Sequence, residues 1–96
     1  MSPKNKIKLN LLRRKLDKLD YQLLKTIKKR SEIIKKVLSL KSYKNEIVDK
    51  KRISIILKKI KKESIKKRID PKITQRIWKN MIWSYIDFEK RNFKKR

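Results

Sequence analysis

The chain reads as all-α, with one long helix followed by two shorter ones. Three observations predict this. Apolar residues recur at steps of three and four through each segment, which is the signature of an amphipathic helix. Glycine is absent and the two prolines stand at positions 3 and 71, so internal stops are few. Asp70-Pro71 supplies one sharp boundary, an N-cap carboxylate followed by a residue whose missing N–H costs nothing at the first helical position.

The first stripe runs Leu9, Leu12, Leu16, Leu19, Leu23, Ile27, Ile34, Val37. It predicts a helix over about 6–41, on the order of 50 Å long at ~1.5 Å per residue. Ser42 to Asn45 reads as a loop. A second helix, about 49–67, carries Ile53, Ile56, Leu57 and Ile60 and opens at Asp49, a plausible N-cap. The third, about 71–93, carries Ile73, Ile77, Trp78, Met81, Ile82, Tyr85 and Phe88. The 96 residues are read as a single domain with its core in about 9–93, near the lower size for a comfortable core. The first helix outruns both partners, so part of its stripe is expected to be covered by a second copy, in an intertwined homodimer.

Composition narrows the chemistry. Without cysteine or histidine, disulfides, the usual zinc sites and a histidine general base are excluded. Without glycine there is no Gly-rich phosphate loop. No apolar run approaches the ~20 residues of a membrane span, and no signal-peptide pattern opens the chain, so the expected location is the cytoplasm. The net charge of +24 comes from 33 Lys+Arg against 9 Asp+Glu. Such a surplus raises a nucleic-acid-binding module as an alternative. The lysines, however, are strewn over every exposed position instead of gathering on one face, which favours a solvated surface and disfavours that reading.

More telling are cations placed where leucines belong. Continued at helical spacing, the first stripe passes through 23, 27, 30, 34, 37 and 41, where position 30 is Arg and position 41 is Lys. Arg13 lies on the edge of the same stripe. Arg52 stands one turn before Ile56, and Glu89 follows Trp78, Ile82 and Tyr85 inward. Snorkelling explains any one of these cations taken alone. As a set they suggest a site whose counter-charge arrives from outside, because an unpartnered buried cation costs several kcal/mol. A small dianion with two carboxylates fits the planar fork of arginine.

The run Leu12-Arg13-Arg14-Lys15-Leu16-Asp17-Lys18-Leu19-Asp20 resembles the opening of the all-helical chorismate mutases. The intervals from Arg13 to Arg30 and from Arg30 to Lys41 match that family, and Asp49-Lys50-Lys51-Arg52 is similar to its D-x-x-R. The Ile69-Asp70-Pro71 opening and the late Glu89 are similar as well, so the resemblance covers roughly residues 9–93. It implies an isomerase that rearranges chorismate to prephenate without cofactor or metal, in phenylalanine and tyrosine biosynthesis. It implies that Arg30 and Arg52 serve one protomer's pocket and Arg13 the other's. Arg13 and Arg30 would hold the substrate carboxylates, Lys41 the ether oxygen and a carboxylate, Asp49 the ring hydroxyl region, and Glu89 the ether oxygen opposite Lys41. Only a protonated glutamate can donate there.

Three departures stand out. Many members follow the D-x-x-R arginine with glutamate, whereas this chain has Ile53, which leaves room for an isochorismate–pyruvate lyase on the same fold. Position 85 is Tyr where some relatives carry serine, and Ser84 points along a different helical angle. The loop from Ser42 to Val48 is a residue short, so the Asp49 and Arg52 assignments rest on the least secure alignment.

Overall fold

The computed structural model describes residues 1–94 and contains three α-helices and no strand among them. Helix α1 spans Pro3–Leu40, α2 spans Lys50–Lys66 and α3 spans Pro71–Asn92, with a 3-10 turn at Lys44–Glu46 between α1 and α2. Helix α1 begins three residues before the expected start. Its first turn is polar and carries no apolar signal, but Ser2 Oγ accepts from the Asn5 N–H at 3.2 Å, and Pro3 takes the first position. At its other end the helix stops at Leu40, and Lys41 lies just beyond it. The expected loop contains one turn of 3-10 helix, closed by Glu46, whose carboxylate accepts from the Tyr43 N–H at 3.1 Å.

The two later helices begin where short carboxylates cap them. Asp49 Oδ1 accepts from the Arg52 N–H at 3.0 Å, and Asp70 Oδ1 from the Lys72 N–H at 2.9 Å, ahead of Pro71. Helix α2 ends in a Schellman arrangement. The Ile69 N–H reaches the Ser64 carbonyl and the Arg68 N–H reaches the Ile65 carbonyl. That geometry demands a left-handed residue, normally glycine. In this glycine-free chain Arg68 adopts it, at φ 57°.

The chain divides into two compact units, Met1–Ile34 and a second beginning at Lys35. The first unit is helical from Pro3 onward, and α1 has no buried residue. Leu12, Leu16, Leu19 and Leu23 each keep more than half their surface exposed. The second unit holds the core: Ile47, Ile82 and Ile86 are buried, with Leu38, Val48, Ile53, Ile56, Leu57 and Phe93 packed around them. Helices α2 and α3 make its principal contact.

The buried face of α3 is rotated from the expected stripe. Ile73 and Ile77 are about half exposed, while Thr74 is buried in their place. The cause is a hydroxyl pair. Ser64 Oγ donates to the Ile60 carbonyl at 2.6 Å and lies 2.7 Å from Thr74 Oγ1. Thr74 Oγ1 also lies 3.4 Å from the Pro71 carbonyl, so either hydroxyl can be the donor between them. Gln75 Nε2 adds a bond to the Leu57 carbonyl at 3.0 Å. These polar ties fix which face of α3 meets α2.

A left-handed non-glycine residue costs roughly 1–2 kcal/mol, part of which glycine returns through its greater freedom in the unfolded chain. Arg68→Gly is therefore expected to raise unfolding stability by up to about 1 kcal/mol, read as a higher midpoint in urea. An unchanged or lower midpoint would show that the Arg68 side chain makes a compensating contribution.

Candidate functional site

Among the residues singled out in the sequence, Lys41 and Glu89 come together most tightly. Lys41 Nζ donates to Glu89 Oε1 at 2.8 Å, with the two side chains only 17% and 6% exposed. Lys41 reaches this position because α1 has just ended: its N–H still bonds to the Leu38 carbonyl, and its side chain leaves from the first non-helical residue. Glu89 is carried in the last turns of α3, where Ile82 and Ile86 set the buried face. A half-buried lysine thus has a buried internal acid as its partner. Removing either member would strand the other, at a cost of several kcal/mol.

Asp49 lies in the same region. A cleft of about 670 Å³ is lined by Lys41, Asn45, Glu46, Val48, Asp49 and Lys50. One oxygen of the Asp49 carboxylate caps α2 through the Arg52 N–H, which fixes the carboxylate at the cleft wall. Arg52 itself stands exposed in the first turn of α2. Asn45 and Glu46 were not among the expected site residues. Their only advance signal is the Tyr43-x-x-Glu46 spacing of a capping box, here without the usual serine or threonine.

Arg13 and Arg30 belong to the first unit. Arg13 is exposed and Arg30 half-buried. Seventeen residues of continuous helix separate them, about 26 Å along the axis at ~1.5 Å per residue. One chain therefore does not bring these two arginines onto the same small molecule.

The departures noted in the sequence have clear placements. Ile53 is half-buried and packs against the core, so it presents apolar surface one residue beyond Arg52. Tyr85 is half-buried, while Ser84 is exposed and gives its hydroxyl to the Asn80 carbonyl of its own helix at 2.7 Å. Among the described residues no group of three or more His, Cys, Asp or Glu could hold a metal ion. No helix of the described chain is long and apolar enough to cross a membrane.

Comparison with known proteins gives one match. The family model described as chorismate mutase type II covers residues 12–90, a span that includes Arg13, Arg30, Lys41, Asp49, Arg52 and Glu89. Searches of curated proteins and of solved structures give no match. The all-helical chain, with its inward lysine–glutamate pair, belongs to the chorismate mutase type II family.

Proposed function

We propose that this chain is a chorismate mutase acting as a single domain over its whole length. The observation that carries the reading is the Lys41–Glu89 pair beside the Asp49 cleft, within a chain whose residues 12–90 match the family. The reaction is a pericyclic rearrangement of chorismate to prephenate, in which one C–O bond breaks as a C–C bond forms. No atom of the protein bonds to the substrate and no co-reactant is required. What the protein supplies is the compact conformer and a complement to negative charge on the departing ether oxygen.

In this account Lys41 donates to the ether oxygen and Arg30 grips a carboxylate by its planar fork. Arg52 adds positive potential, and Asp49 lies toward the ring hydroxyl. Arg13 holds the second carboxylate from a second copy of the chain. Two facts support the shared site. The axial separation of Arg13 and Arg30, about 26 Å at ~1.5 Å per residue, is too long for one substrate, and the leucines beside Arg13 are more than half exposed. Covering each such leucine would return on the order of 1 kcal/mol. An intertwined homodimer satisfies both demands, and the proposed setting is the cytoplasm, in aromatic amino acid synthesis. Ile53 favours one second reading, an isochorismate–pyruvate lyase, since it puts an apolar wall where many relatives place a glutamate.

The deciding assay adds purified protein to chorismate and identifies the product. Prephenate formation is expected, with Arg30→Ala lowering kcat/KM at least ~100-fold, about 2.7 kcal/mol of transition-state binding, while the helical circular dichroism persists. Pyruvate release from isochorismate, with chorismate untouched, would establish the lyase instead. Unchanged turnover in Arg30→Ala would refute the site.

Glu89 generates a separate expectation. As a carboxylate it accepts from Lys41, and as such it repels charge developing on an ether oxygen; only its acid form donates. Glu89→Gln, whose side-chain amide donates without needing a proton, is therefore expected to keep or raise kcat/KM on chorismate at neutral pH. A Glu89→Gln protein that keeps its helical circular dichroism and loses turnover would contradict the donor role.

A further inference from the structure

We propose that the groove between α2 and α3 is a second anion site, taking a small carboxylate that carries an aromatic or aliphatic body. Its floor is apolar, formed by Val48, Ile53, Leu57 and Trp83. Every ionisable residue along it is a cation: Lys50, Lys58 and Lys61. On α2 the lining residues fall at 50, 53, 54, 57, 58 and 61, the helical spacing of one continuous face about three turns long. The groove is about 400 Å³ in volume, within the ~300–1,000 Å³ typical of small-ligand sites.

Two features make the groove more than a gap between lysines. Gln75 lines it and is bound through Nε2 to the Leu57 carbonyl, so α2 and α3 are pinned together across the floor and the groove is preformed. Trp83 lies along it with 54% of its surface exposed. A large rigid ring left in water offers stacking area with little side-chain entropy to lose. Floor and rim together ask for one chemistry, an apolar body with negative charge at its edge. A zwitterionic amino acid fits less well, because its ammonium would face three lysines with no carboxylate in the lining to receive it. Ser54, also in the lining, offers a hydroxyl to a carboxylate oxygen. Val48 and Lys50 line both this groove and the Lys41–Asp49 cleft, and Ile53 also borders the proposed substrate site, so the two sites share a wall.

The test titrates the ¹⁵N-labelled full chain with 3-phenylpropionate, with the uncharged 3-phenylpropanol, and with acetate, which has charge but no apolar body. Phenylpropionate is expected to shift the Trp83 indole N–H and the Ser54 and Leu57 amides saturably. The alcohol should bind roughly three- to tenfold more weakly, as the loss of one charge against two or three surface lysines implies. Lys58→Gln with Lys61→Gln should bring the acid down to the affinity of the alcohol, and Trp83→Ala should weaken both. Three results would each overturn the proposal. Acetate could shift the groove as strongly as phenylpropionate, which marks a merely cationic surface. Phenylpropionate could give no saturable shift in the groove. The double lysine variant could change the sedimentation of the chain and not its affinity, which marks a groove occupied by a second copy. No turnover is measured, so this result stands apart from the proposed mutase activity.

Discussion

A straight helix fixes how far apart its side chains stand, and in this protein that spacing separates two arginines of the proposed site. Arg13 and Arg30 lie seventeen residues apart on one continuous helix, about five turns and 26 Å. A compact dianion spans only a fraction of that distance. No rearrangement of rotamers closes the gap, so in the proposed site the two arginines of one helix serve two different substrates. The same helix leaves Leu12, Leu16, Leu19 and Leu23 substantially exposed beside Arg13. The proposed site and the exposed apolar surface can both be satisfied by the homodimer proposed above, with a second copy covering these leucines.

The Lys41–Glu89 pair is the second constraint. A buried ion pair contributes little net stability, because desolvating two charges offsets their attraction. Its value here is positional. Glu89 holds the Lys41 ammonium at the end of α1, close to the cleft that Asp49 lines. The lysine is thus held at the cleft wall by its partner. The surrounding surplus of lysine adds a long-range positive potential, which salt would screen, whereas the pair itself is largely shielded from solvent.

Much of the fold was legible in the sequence because helix ends are local chemistry. Asp49 and Asp70-Pro71 announce their helices through one side chain and one missing N–H, and the helices begin beside them. What remained hidden depends on partners distant in sequence. Nothing in the α3 pattern says that Thr74 is buried and Ile73 exposed; the Ser64 hydroxyl decides it from another helix. Arg68 is a similar case, since a chain without glycine has to place some other residue in the left-handed position. For the site, helical spacing pointed Lys41 and Glu89 inward one at a time. Their pairing needed the return of α3 toward the end of α1, and the Asn45–Glu46 cleft wall needed the 3-10 turn.

The claim that most needs testing is that each active site is completed by two chains. Arg13→Ala and Arg30→Ala proteins, each inactive alone, are unfolded together, refolded as an equal mixture and assayed on chorismate. Random pairing makes half the dimers mixed, and each mixed dimer holds one intact site of two. The account predicts recovery of about a quarter of wild-type activity. A mixture as inactive as its components, from proteins shown by sedimentation to have exchanged subunits, would contradict it.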